Sequence, residues 1–432
     1  MNNIIAIHDK IIDYADKKGI RNFANAVGLF LIFYGSIGFV SKYFFSYTLG
    51  TVIALLGLFI ILIFNKPKFS FSAFITTCIL VLLSTVLGFY NHDSVKEIGF
   101  DAVSMGVVFV LVCIMDFDSF KKAFLSLFLF TSVYAIVVWI ICFIYPEVIP
   151  MLPKLPRDGD YYNLFFCVIG NPATKILRLY GFVWEPGAYQ TFLNIAILIA
   201  GLQKHNRFLN LAVLYTALIL TFSTTGYIVG ILNVLILIFA VNINNKQLIK
   251  KYLIVAAGSF VVLFVVATAT GITSFVFKKV LGLFDGVSSG DSYTNASTRI
   301  DSIYYPLLAF FEHPLFGVGK TGLTNIVDSL PHSILACTPA NYLAKYGIIY
   351  SSIIGVCWYK FIKLIVGKNR FIIIAGLISF ILSIITEQYV SCIVMNMLIM
   401  YGSTLLLESP IFKRQKNQQT LDALQQESNQ EQ

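Results

Sequence analysis

The residues able to do chemistry stand in a few short stretches of an otherwise apolar chain. In "KILRLYGFVWEPGAYQTF", Arg178 and Glu185 flank an aromatic turn, and Pro186 fits the first turn of a helix that follows. An arginine at a membrane boundary can hold a phosphate through a forked pair of hydrogen bonds; it can equally pair with Glu185 or with lipid headgroups. In "STRIDSIYYPLLAFFEHPLFGVG", Arg299 and Asp301 lead an amphipathic segment that ends in His313, Pro314 and the glycines at 317 and 319. A phosphate loop is excluded there, because the glycine due six residues before Lys320 is Pro314. Those glycines read as tight turns. His332, in "SLPHSILACTPANYLAKYGIIYSS", could accept a proton from a hydroxyl nucleophile, or be a hydrogen-bonded interfacial histidine. Glu387 and Gln388 read as a hairpin turn at the outer surface, since a carboxylate inside lipid is costly. No Cys/His spacing has the form of a zinc site, and no cofactor is expected.

The elements that must position these residues are membrane spans. Of 432 residues, 57% are hydrophobic, 15% aromatic and only 12% charged, against about 25% charged in soluble domains. Runs of about 20 apolar residues recur along the whole chain. The expected fold is an all-α polytopic membrane protein. Twelve transmembrane helices are expected, at 23–41, 44–64, 69–90, 97–115, 123–145, 186–203, 208–222, 225–243, 252–277, 347–364, 371–387 and 389–407. The net charge of +9 reports topology rather than nucleic-acid binding. With the N-terminus inside, alternation puts 20 of the 31 Lys and Arg residues on the cytoplasmic side. Of the 11 outside, only Lys42 and Lys96 lie in short loops, where the charge rule applies. Both termini are therefore expected in the cytoplasm, with two long loops outside, at 146–185 and 278–346.

Residues 1–22 are expected to form an amphipathic cytoplasmic segment, with Ile4, Ile5, Ile7, Ile11, Ile12, Tyr14 and Ala15 on one helical face. They show no signal-peptide core. Residues 23–407 then form one bundle, and the Gln-rich 408–432 a disordered cytoplasmic tail. Cys167 and Cys337 fall in the two outer loops, where a disulfide is one reading.

Three stretches carry a family resemblance. "RLYGFVWEPGAYQ", "STTG" at 223–226, and "RIDSIYYPLLAFFEHPLFGVG" followed by "PHSILACTPANYLAKYGII" resemble the bacterial O-antigen ligase and polymerase superfamily. Thr224 or Thr225 stands where many relatives carry an arginine, and His332 lies 15 residues before Gly347, further than the family spacing.

The resemblance implies a GT-C-like, metal-independent glycosyltransferase of the bacterial inner membrane, with undecaprenyl-pyrophosphate-linked oligosaccharides as donor and acceptor. Membrane lipids and a chain-length regulator protein are implied partners. Polymerisation of repeat units into O-antigen or capsular polysaccharide is the leading expectation. A ligase acting on lipid A-core, or a lipid-linked oligosaccharide flippase, are the alternatives. In this reading His332 is the general base and Glu185 either orients Arg178 or is itself the base. Arg178 and Arg299 meet the pyrophosphate, while Tyr304 and Trp184 stack on sugars.

Overall fold

A computed structural model describes residues 10, 12, 14–16, 19–38, 47–155, 160–164, 166–171, 177–203, 206–242, 247, 250, 295–328, 335–390 and 392–406. The ninth expected span and the C-terminal tail lie outside them. The helices in chain order are α1 (Ile20–Ile37), α2 (Tyr47–Ile63), α3 (Phe71–Tyr90), α4 (Val95–Ile114), α5 (Phe117–Ile144), α6 (Pro186–Gly201), α7 (Arg207–Leu220), α8 (Thr224–Asn242), α9 (Asn295–Glu312), α10 (Gly319–Asp328), α11 (Thr338–Val366), α12 (Arg370–Ile384) and α13 (Ile393–Ser403). Among the described residues, α1, α3, α4, α5, α8 and α11 are long and apolar enough to cross a bilayer. A polytopic helical membrane protein follows from those six alone.

Short polar turns separate the long helices, and their caps explain why the breaks fall where they do. Ser70, Ser94, Asp116 and Asn369 each accept a backbone N–H from the first turn of α3, α4, α5 and α12. Helix α5 starts six residues before the expected span because Asp116 caps it ahead of the polar first turns at 117–122. Near the N-terminus Ile12 and Ala15 are buried and Tyr14 is exposed. Arg21 ties this region to the bundle by donating to Asn65.

Helix α6 is the central element: 15 of its 16 residues are buried, the mark of a helix enclosed by others. A neutral polar network joins it to α8 and α12. Gln190 and Thr191 donate to the Ser383 carbonyl. Asn194 donates to Gln190, Asn233 to Asn194, and Ser379 to Asn233. Inside a bilayer such bonds replace the hydrophobic driving force that lipid cannot supply between helices.

The described residues of the first long loop form secondary structure. A short 3-10 turn (Pro146–Met151) leads to β1 (Asp160–Leu164), β2 (Cys167–Asn171) and β3 (Arg178–Gly181). They form an antiparallel sheet in the order β1-β2-β3, with a bulge between Val168 and Ile169. This small sheet is an addition to the helical framework that apolar periodicity did not announce. Cys167, Val168 and Ile169 of β2 and Leu179 and Tyr180 of β3 are buried, and Trp139 of α5 donates to the Leu177 carbonyl at 2.9 Å.

Helix α11 breaks at Gly347, whose φ of 72° and ψ of −174° are not helical. Tyr342 and Trp358 are 16 positions apart, about 24 Å along a straight helix. Their ring centroids nevertheless lie 5.7 Å apart. The head of α11, 338–346, therefore folds back beside its own span. Residues 338–346 were expected in an outer loop; seven of them, among them Thr338, Asn341, Tyr342, Ala344 and Lys345, are buried among helices instead.

The strap 314–318 crosses this reversal. Ile348 donates to the Pro314 carbonyl and Val318 to the Ala344 carbonyl, each at 2.8 Å. A Cβ on Gly347 would collide with the Leu315 carbonyl, and one on Gly317 (φ +67) would press on the carbonyls of Ala344 and Lys345. The glycines of "FGVG" and "YGII" are thus matched halves of one close backbone crossing.

Candidate functional site

Two helix N-termini converge on the turn between α12 and α13. Glu185 is the N-cap residue of α6, with Pro186 in its first turn. The side chain of Glu387 packs so closely that a Cβ on Gly187 would strike its Oε1. Thr338, at the start of α11, donates its N–H to the Glu387 carbonyl at 3.1 Å, and its hydroxyl donates to the same oxygen. Tyr389 returns a backbone N–H to the Thr338 hydroxyl at 2.8 Å. The expectation of a surface turn at Glu387 is corrected: the residue is 3% exposed. The folded-back head of α11 covers it, and the positive end of α6 offsets part of the cost of its charge. Two acidic residues from distant parts of the chain, Glu185 and Glu387, thus meet at one helix start.

Trp184 lies beside them, buried, with its ring edge-on to Tyr389 at 5.6 Å. Its packing is intramolecular rather than an open platform for a sugar. Val183 forms a β-bridge with Gly38, which joins the end of α1 to the same place.

Arg178 opens β3 and reaches the turn between α7 and α8. Its Nε donates to the Thr221 carbonyl at 3.1 Å and its Nη2 to the Phe222 carbonyl at 3.2 Å. Those carbonyls end α7, so the guanidinium sits at the negative end of a helix. Two of its five donors are engaged there. The turn runs straight into the "STTG" stretch, in which Ser223 accepts from Gly226 N–H. Arg178 therefore ties β3 to the two carbonyls that stand just before the 223–226 stretch.

The other expected residues are placed differently. Tyr304 stands on the outward face of α9, edge-on to Tyr305 at 5.2 Å, and is not gathered with Trp184. Arg299 lies in the second turn of α9; its side chain and the whole of His332 are outside the described residues. Cys167 and Cys337 are free, buried thiols, so the disulfide reading is corrected. Burial pushes both thiols up, and for Cys337 the Ala340 N–H opposes part of that shift. Among the described residues no cluster of His, Cys, Asp or Glu could hold a metal ion.

Sequence reading missed a row of acids that fastens the second loop to the bundle. Asp93, Glu97 and Asp101 are spaced four apart; Glu97 and Asp101 share one face of α4, and Asp93 stands just before its N-cap, Ser94. Asp93 accepts the N–H groups of Lys320 and Thr321 at the start of α10. Glu97 pairs with Lys320 Nζ at 2.9 Å. Asp101 pairs with Lys345 at 2.7 Å and accepts the Tyr346 hydroxyl at 2.7 Å, with side chains only 13% (Asp101) and 5% (Lys345) exposed. One turn deeper, Asn396 of α13 donates to Ser104, and Tyr342 donates to Asn396. The four-residue spacing was the available signal; its partners are over 200 residues away.

No protein-family model matches this chain, and no characterised protein matches it.

Proposed function

We propose that the chain is a lipid-linked glycan polymerase: a glycosyltransferase that joins undecaprenyl-pyrophosphate-linked repeat units into O-antigen or capsular polysaccharide. The observation that supports this reading is the placement of Arg178 on the Thr221 and Phe222 carbonyls, immediately before the 223–226 stretch. In the proposed reaction an acceptor hydroxyl attacks the anomeric carbon of the donor sugar and gives its proton to a base. The bond to the pyrophosphate oxygen breaks, and undecaprenyl pyrophosphate departs with the electron pair. Fixed cations must meet that charge as it develops; Arg178 and Arg299 are assigned this task. Glu185 or His332 takes the proton. Glu387 holds the positive start of α6 in register.

In the same reading the sheet, α9 and α10 face the periplasm of a bacterial inner membrane, both termini are cytoplasmic, and twelve spans make a GT-C-like bundle. The distribution of Lys and Arg supports that orientation. Donor and acceptor lipids enter from the bilayer, and a chain-length regulator protein is the proposed partner. A lipopolysaccharide gel tests the reading. Deletion of the gene is expected to leave single-repeat lipopolysaccharide, restored to long chains by the wild-type gene. Complementation with Arg178→Ala, Arg299→Ala or His332→Ala is expected to fail at normal protein level. Lipid A-core without any repeat would overturn the polymerase in favour of a ligase or flippase.

A further inference from the structure

Helices α9 and α10 both belong to the loop region between spans, yet they present opposite surfaces. The outward face of α10 is polar: Lys320, Thr321, Thr324, Asn325 and Asp328 are exposed. The outward face of α9 is a stripe of Ile300, Tyr304, Leu308 and Phe311, continued by Leu315 in the strap; these side chains are 43–72% exposed. The opposite side of α9, at Ser302, Pro306 and Ala309, is buried, and Ala309 packs with Leu323 and Ala344. A helix between a protein core and water carries polar residues outward, as α10 does. Helix α9 is apolar on both sides.

The level of the stripe identifies what covers it. The Pro314 carbonyl accepts from Ile348 N–H, the first residue of the α11 span after its break. Phe316 lies against Tyr90, the last residue of the α3 span, with ring centroids 5.3 Å apart. The stripe thus ends at the edge of the bundle's own outward-facing apolar belt, where Phe89, Tyr90, Ile348 and Ile349 are exposed. Glu312 and His313, also exposed, follow the stripe where headgroups would meet them.

We infer that α9 is an interfacial helix: its Ile300–Tyr304–Leu308–Phe311 face lies in the outer part of the bilayer against acyl chains, while α10 stays in water. An amphipathic helix with one face buried in the headgroup–acyl boundary is held by its apolar area. Here a second face is fixed to protein. The inference does not depend on the enzymatic reading, and it sets a strip of membrane-bound protein beside the α11 reversal.

Nitroxide accessibility in lipid nanodiscs tests it with the full chain. Leu308→Cys on α9 and Thr324→Cys on α10 are spin-labelled, with the labelled parent chain as background. Relaxation by oxygen, which concentrates in lipid, is expected to exceed relaxation by a water-soluble nickel chelate by several-fold at 308, and the order is expected to reverse at 324. If 308 is as open to the nickel chelate as 324, the face is in water and the inference fails. If neither reagent reaches 308, protein covers it, from a second copy or a partner, and the inference fails equally. Phe311→Cys, at the most exposed position of the stripe, repeats the measurement should Leu308→Cys not fold.

Discussion

The neutral network of α6, α8 and α12 and the charged row on α4 hold the same molecule together by different physics. In the first, each side chain is an amide or hydroxyl that both gives and accepts: Gln190, Asn194, Asn233 and Ser379 form a chain with no net charge. Packed apolar helices can enclose such a network at modest cost. In the second, carboxylates and ammonium groups meet across contacts between a spanning helix and elements that do not span. The ion pair grows more buried along the row, from Lys320–Glu97, with side chains 49% and 31% exposed, to Lys345–Asp101. Neutral bonds bind helix to helix within the bundle; charged ones fasten the loop region to it.

Breaking the buried end of the row is expected to have the largest effect. Lys345→Met leaves Asp101 uncompensated and should destabilise the protein by about 3–5 kcal/mol, read as a fall in the midpoint of unfolding in detergent. The double variant Asp101→Leu with Lys345→Met should recover most of that loss, because no buried charge remains. A single variant as stable as wild type would mean that water already reaches the pair. Next comes the backbone crossing under the row. Gly347→Ala forces a side chain into a left-handed conformation and against the Leu315 carbonyl, at a cost of about 1–3 kcal/mol for the backbone alone. Its signature would be faster proteolysis within 313–347.

In the neutral network, Asn233→Ala removes the bonds to Asn194 and Ser379, with an expected loss of about 1–3 kcal/mol that does not change with salt. Lys320→Ala, at the exposed end of the charged row, should cost only about 0.2–1 kcal/mol, and its effect should fade as salt is raised. Equal salt dependence at Lys320 and Asn233 would erase the distinction. The smallest effect is expected from reducing agent: with Cys167 and Cys337 free, it should leave the unfolding midpoint unchanged.

Span positions were legible because bilayer thickness imposes a length on apolar runs, and the runs announce themselves: 69–90 became Phe71–Tyr90 and 225–243 became Thr224–Asn242. Caps at Ser70, Ser94 and Asp116 sharpened the edges. The small sheet was not legible, since its strands are four or five residues long and carry no long period. Glu185 was legible as a residue just before a helix start, but Glu387, which packs against that start, was assigned to the surface. A turn between two apolar runs reads as exposed unless something covers it, and what covers it is the head of α11, folded back at one glycine.

Composition and periodicity by themselves therefore determined that this is a many-span helical membrane protein with its polar chemistry in the connections. Those properties depend on the run length of apolar residues, a local quantity. Only the tertiary structure decided which connections meet: Arg178 with the 221–226 turn, Glu387 with the start of α6, and Asp101 with Lys345. Each of these contacts joins residues more than 40 positions apart, and each was selected by the requirement that a polar group inside an apolar bundle find a partner.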